Sequence, residues 1–91
     1  MDDLARTAEF LKIIGQETRV RILDSLREGE RCVCEIWPGI GEQSNVSRHL
    51  AVLVKNGILA QRRQGTRQYY RVVWPAVFRV LDAARDVRCC A

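Results

Sequence analysis

Two of the four cysteines stand one residue apart, at Cys32 and Cys34, and the other two, Cys89 and Cys90, are adjacent near the C-terminus. Thiolates are soft ligands, so a close pair favours arsenite, antimonite, Cd(II) or Pb(II) over Ni(II) or Co(II). Arg31 and a local helix N-terminus are expected to favour the thiolate form of Cys32. The pair therefore predicts a thiol site.

Several other roles for these thiols stay open. The start MDDLARTAEF lacks the basic and apolar regions of a signal peptide, which predicts a cytoplasmic protein, where structural disulfides are rare. Zinc is less favoured, because His49 is the only histidine and cannot build a histidine-rich site. A disulfide or persulfide switch between the two cysteine pairs would use the same atoms, and small apolar packing is the plainest alternative.

Other chemistry is absent from the sequence. We find no catalytic carboxylate pair, no Ser/His/Asp set and no phosphate loop, so an enzyme is not expected. No apolar run approaches the roughly 20 residues that span a bilayer, so no membrane partner is expected.

The elements that position the cysteines follow from apolar periodicity. Residues 2–15, 16–29 and 43–57 predict helices, and residues 31–37 predict one or two helical turns. Residues 58–73 predict a β-hairpin with its turn at Gly65, and a last helix opens at Trp74 and Pro75. On a regular helix residues two apart diverge by about 200°, so the sulfurs of Cys32 and Cys34 are expected to point apart.

This order, ααααββα, predicts a mainly α fold with a two-stranded β-hairpin, a winged helix-turn-helix. The 91 residues form one domain, 1–91, whose small core favours a homodimer. The net charge of +4 favours a polyanionic partner, and the chain's polar and basic residues gather on two elements that are adjacent in such a fold. We therefore expect double-stranded DNA to contact Gln43, Ser44, Ser47 and Arg48 on the fourth helix and Arg62, Arg63 and Arg67 on the hairpin.

Four stretches, TRVRIL, CVCEI, NVSRHLAVLVKNGIL and RRQGTRQYYRV, resemble the ArsR/SmtB family of metal-sensing transcriptional repressors. The resemblance covers nearly the whole chain, and an SRHL helix followed by a G-x-R-x-x-Y wing is specific. It implies a dimer that occupies operator DNA and releases it when a metal or metalloid binds. It implies the same DNA contacts and adds one at His49. A half-buried structural role for His49 is as strong an alternative as a phosphate contact.

In this family C-V-C marks sensors of arsenic, antimony, lead and cadmium, and the arsenic type often continues C-V-C-x-x-C. Trp37 stands at the third of those positions here. Trivalent arsenic takes three sulfurs, so the resemblance implies an arsenite or antimonite site at Cys32 and Cys34, with Cys89 or Cys90 of either subunit as the remaining candidates. A Cd(II) or Pb(II) sensor and a thiol-redox or persulfide sensor are the alternatives.

Overall fold

The computed structural model describes residues 2–89, with side chains as far as Val87. Its helices are α1 (Asp3–Ile14), α2 (Glu17–Ser25), α3 (Val33–Ile36), α4 (Gln43–Lys55) and α5 (Ala76–Cys89). Its strands are β1 (Arg31–Cys32), β2 (Leu59–Gln64) and β3 (Arg67–Val72), and a 3₁₀ turn spans Trp37–Gly39. The predicted winged helix-turn-helix order is confirmed, with one additional strand, β1.

Local signals set the starts of the first two helices. The Asp2 carboxylate accepts a hydrogen bond from the Ala5 amide at 2.7 Å, which caps α1. The Gln16 side chain accepts one from the Arg19 amide at 3.1 Å, which caps α2. Because both caps satisfy otherwise unpaired amides, α1 and α2 form as separate helices on either side of Gly15.

The core is built from residues at helical spacing on α2 and α4. Val46, Leu50 and Leu53 of α4 are each 0% exposed, as the i, i+4, i+7 pattern predicts. They belong to one cluster with side chains from the other helices and from the sheet: Ile14, Ile22, Leu23, Leu26, Ile36, Ile58, Leu59, Tyr70 and Val77. This packing fixes which face of α4 remains outside.

The sheet has three strands rather than the predicted two, in the order β1-β3-β2. The β2–β3 hairpin turns at Gly65, whose φ of 64° lies in the left-handed region that glycine adopts without strain. Cys32 of β1 pairs with Tyr69 of β3, which in turn pairs with Arg62 of β2. Directly paired residues share a sheet face, so these three side chains form one row across the sheet.

The last helix begins at Ala76 rather than at Trp74, because Trp74 and Pro75 form the turn that leads into it. The Trp74 indole donates to the Gly57 carbonyl at 3.0 Å, and Val77 is buried against the core. Asp82 accepts a hydrogen bond from Arg27 at 2.6 Å, which holds α5 beside α2. Within residues 2–89 no helix combines the length and apolar character needed to cross a membrane.

Candidate nucleic-acid interface and thiol site

The outer face of α4 carries the predicted DNA-contacting side chains. Gln43, Ser44, Ser47 and Arg48 are all exposed, opposite the buried Val46 and Leu50. Two of them make only local contacts: Ser44 Oγ donates to Glu42 Oε1 at 3.2 Å, and an Arg48 Nη donates to Asn45 Oδ1 at 2.7 Å. The α4 N-terminus therefore presents small polar groups and one guanidinium outward.

His49 lies on the flank of α4 and is half-buried against α2. Its Nδ1 accepts a hydrogen bond from Arg19 Nε at 3.1 Å, and Arg19 also donates to the Ile13 carbonyl at 3.0 Å. Burial, together with the charges of Arg19 and Arg48, lowers the pKa of His49 from its ordinary value of 6.5. This contact supports the structural alternative, while the DNA contact at His49 stays a prediction.

The three hairpin arginines differ in their surroundings. Arg62 makes a two-pronged ion pair with Glu30, at 2.8 and 2.7 Å, and its guanidinium lies 4.5 Å from the centre of the Tyr69 ring. Arg63, on the opposite face of β2, is exposed. Arg67 starts β3 on the face that carries Cys32, and its charge acts on both nearby thiols.

The two sulfurs of the predicted thiol site are together, and the expectation that they point apart is wrong. Cys34 Sγ lies 2.7 Å from Cys32 Sγ and donates to it. The expectation assumed a regular helix, whereas Cys32 lies in β1 with φ −70° and ψ 145°, and α3 begins only at Val33. The turn from strand to helix at Cys32 brings the two side chains to one side.

The two thiols differ in exposure and in acidity. Cys32 is 2% exposed, whereas Cys34 is exposed. The hydrogen bond from Cys34 lowers the pKa of Cys32, assisted by the charge of Arg67, while the same bond raises the pKa of Cys34. The expected acidic Cys32 is confirmed, but its neighbours are Cys34 and Arg67; the Arg31 guanidinium instead donates to the Ser25 carbonyl at 3.5 Å.

Among the described side chains, residues 2–87, no third ligand lies beside this pair, because no three His, Cys, Asp or Glu side chains are placed to share an ion. The described side chains of α5 lie along α2, where Leu81 and Ala84 line a cleft with Val20 and Arg21. Cys89 is the last residue of α5, its side chain is not described, and Cys90 lies outside the described residues.

Sequence reasoning missed two residues of this region. Glu30 was not singled out, because an acidic residue in a turn carries no signal of a partner 32 positions away. Tyr69 was counted only as a strand former, although it lies between Cys32 and Arg62 in the row across the sheet. The Glu30–Arg62 pair depends on β1, whose two residues are too short to produce an alternating pattern.

Comparison with known proteins agrees with this arrangement. A family model described as "Bacterial regulatory protein, arsR family" matches residues 16–61, just over half of the chain. The arsenical resistance operon repressor of Escherichia coli K12 is 37% identical over 83 residues, which cover 84% of this chain and 69% of the repressor.

Two solved structures share the fold. The AntR antimony-specific transcriptional repressor matches with a TM-score of 0.84 and 29% identity, over 93% of this chain and 78% of that one. A homodimeric winged helix-turn-helix DNA-binding domain from Mycobacterium bovis, a possible ArsR-family regulator, matches with a TM-score of 0.78 and 32% identity, over 97% of this chain and 87% of that one. The chain therefore belongs to the arsR family of bacterial regulatory proteins, which are winged helix-turn-helix transcriptional regulators and not enzymes.

Proposed function

We propose that this protein is a repressor that binds operator DNA as a homodimer and releases it when arsenite or antimonite binds to Cys32 and Cys34. The observation that carries the proposal is the contact between the two sulfurs, 2.7 Å apart at the start of α3. The similar E. coli repressor of arsenical resistance and the antimony-specific AntR support a metalloid as the inducer.

The DNA-binding surface of the proposal has two parts. The N-terminal half of α4 enters the major groove, where Gln43, Ser44, Ser47 and Arg48 contact base edges and phosphates. Arg63 at the hairpin reaches a phosphate nearby. Two copies are needed, and Leu4, Leu11 and Val87, which are 79%, 47% and 73% exposed in one chain, supply apolar surface for the dimer.

The thiol pair fits a soft, thiophilic ion. Exposed Cys34 gives access from solvent, buried Cys32 provides the more acidic thiol, and Arg67 adds a positive charge that favours thiolates. A pyramidal metalloid site needs a third sulfur, and the proposal assigns it to Cys89 or Cys90 of the same or the partner subunit.

The position of the pair explains how binding changes DNA affinity. α3 connects through the Trp37–Gly39 turn to α4, so movement of Cys34 is passed to the DNA-reading helix. Cys32 also pairs with Tyr69 of the wing. Linkage requires that operator DNA weakens metalloid binding by the same factor by which the metalloid weakens DNA binding. Unchanged arsenite affinity in the presence of operator would contradict this coupling.

The test is release of labelled operator by the reduced protein, titrated separately with arsenite, antimonite, Cd(II), Pb(II) and Zn(II). We expect release by arsenite or antimonite at the lowest concentrations. Cys34→Ser should keep operator affinity and lose release, because Cys34 is exposed and lies on α3, outside the proposed DNA-contacting residues. Ser25→Ala, at the C-terminal end of α2, is the control, and its release should equal that of the wild type. Release of the Cys34→Ser operator complex at wild-type arsenite concentration would refute the site.

Mixed dimers test where the third sulfur comes from. One chain carries Cys34→Ser with an intact tail, and the other carries Cys89→Ser and Cys90→Ser with an intact Cys32–Cys34 pair. If sites are shared between subunits, the mixed dimer has one complete site and binds one arsenite with three protein sulfurs by X-ray absorption. If each site is built within one chain, the mixed dimer has no three-sulfur site.

A thiol-oxidation switch is the second candidate, because the same sulfur contact favours formation of a Cys32–Cys34 disulfide by an oxidant. A purely redox switch would release operator on treatment with hydrogen peroxide and would respond to none of the five ions under reducing conditions.

A further inference from the structure

We infer that Glu30 sets the strength of the DNA interface by holding Arg62 in an ion pair that competes with phosphate. The inference rests on the proposed DNA-binding function and adds a residue that lies outside the proposed DNA-contacting set. Glu30 acts through Arg62, so it is a positioning residue rather than a contact.

The guanidinium of Arg62 is occupied on several sides. Its Nε and one Nη donate to the two Glu30 carboxylate oxygens at 2.8 and 2.7 Å, and its other Nη donates to Gln64 Oε1 at 2.9 Å. The Tyr69 ring covers one face at 4.5 Å. The two-pronged geometry is the one in which a guanidinium would grip a phosphate, so Glu30 occupies the edge that DNA requires.

The sheet keeps the two partners together. Glu30 immediately precedes β1, and its side chain reaches across β3 to Arg62 on β2, following the order β1-β3-β2. The Glu30 side chain is only 28% exposed, against 51% for Arg62. The pair lowers the pKa of Glu30, which therefore stays ionised at neutral pH. The ion pair is held in place by backbone pairing as well as by charge.

The Glu30–Arg62 ion pair lowers the contribution of Arg62 to DNA affinity. A guanidinium that is neutralised by a carboxylate releases no counterion from DNA, whereas a free one contributes about 0.9 to the slope of log affinity against log salt. The Glu30 carboxylate itself also repels phosphates. Arg63, on the opposite face of β2, has no ion pair within the described residues and is free to contribute.

The experiment compares operator affinity of the full chain and its Glu30→Gln variant between 50 and 200 mM salt. Removing the carboxylate frees one Arg62 on each wing of a dimer, so we expect tighter binding at 50 mM salt and a slope steeper by about 1.8. Such a slope corresponds to about 12-fold more loss of affinity across that fourfold salt range. Glu28→Gln is the matched control, because Glu28 is exposed, lies two residues away and makes no ion pair with any described side chain, residues 2–87.

The Arg62→Ala substitution tests whether the effect of Glu30→Gln acts through Arg62. Arg62→Ala should change affinity little in the wild-type background and should abolish the gain in the Glu30→Gln background. Equal effects of Glu30→Gln and Glu28→Gln would overturn the inference, and so would weaker binding by Glu30→Gln with circular dichroism unchanged. If the wild-type protein itself binds operator without salt dependence, the proposed DNA-binding function fails instead.

Discussion

Leu4→Ala is predicted to weaken the homodimer without destabilising the single chain. Leu4 is 79% exposed in one chain, and full burial of a leucine side chain stabilises by about 1.5–3 kcal/mol. A twofold interface buries the side chain twice, and alanine keeps part of the contact, so the loss is about 2–3 kcal/mol per dimer. This corresponds to a dissociation constant about 30- to 150-fold larger.

Sedimentation equilibrium over a range of protein concentrations measures this dissociation constant. Leu4→Met is the control, because methionine keeps the apolar volume and should change dimer affinity far less. Thermal unfolding of the monomeric fraction should be unaffected, since Leu4 contributes little to the core of one chain. Operator binding should fall at protein concentrations below the new dissociation constant. A dissociation constant equal to that of the wild type would show that α1 does not form the interface through Leu4.

Three further predictions concern the wing, the core and the α2–α4 contact. Arg63→Ala should flatten the salt dependence of operator affinity by about 0.9 per wing with sequence preference unchanged, measured by fluorescence anisotropy; a changed preference would mean that Arg63 reads bases. Leu50 is 0% exposed, so Leu50→Ala should lower the free energy of unfolding, measured by urea titration, by about 2–5 kcal/mol. A loss below about 1 kcal/mol would contradict the packing of Leu50 in the core. Because the pKa of His49 is lowered in the folded state, the unfolded chain binds more protons near pH 6. The contribution of neutral His49 to folding stability is therefore fully present above its ordinary pKa of 6.5 and is lost as pH falls through the lowered pKa. His49→Gln should reduce the difference in melting temperature between pH 7.5 and 5.5.

The fold followed from the sequence wherever one periodicity dominated. Val46, Leu50 and Leu53 at helical spacing predicted α4 and its outer face, and Gly65 between two β-branched and aromatic segments predicted the hairpin turn. Strand β1 could not be predicted, because two residues carry no alternation and their strand character comes from pairing with β3. That omission made residues 31–37 look like one helix and produced the wrong expectation for the sulfurs.

The sequence predicted which residues form the candidate site, but not which side chains surround them. The two cysteines and the basic hairpin were visible in the sequence, since their chemistry is independent of the fold. The partners that adjust them are distant in sequence: Glu30 for Arg62, Arg67 for Cys32 and Arg19 for His49. Side-chain contacts of this kind depend on strand register and helix packing, which composition and spacing do not determine.

The pairing of β1 with β3 also has an entropic consequence. A hairpin anchored by a third strand is ordered before it meets DNA, so binding does not have to supply the free energy for ordering it, about 1–2 kcal/mol for each backbone residue fixed. Cys32 is one of only two residues in that anchor. Ligand binding or oxidation at Cys32 that breaks the β1–β3 pairing therefore need not block the DNA-binding surface. Every group that contacts DNA would remain, but the hairpin would be less ordered before binding. DNA binding would then have to supply the entropy cost of ordering the hairpin, which lowers affinity.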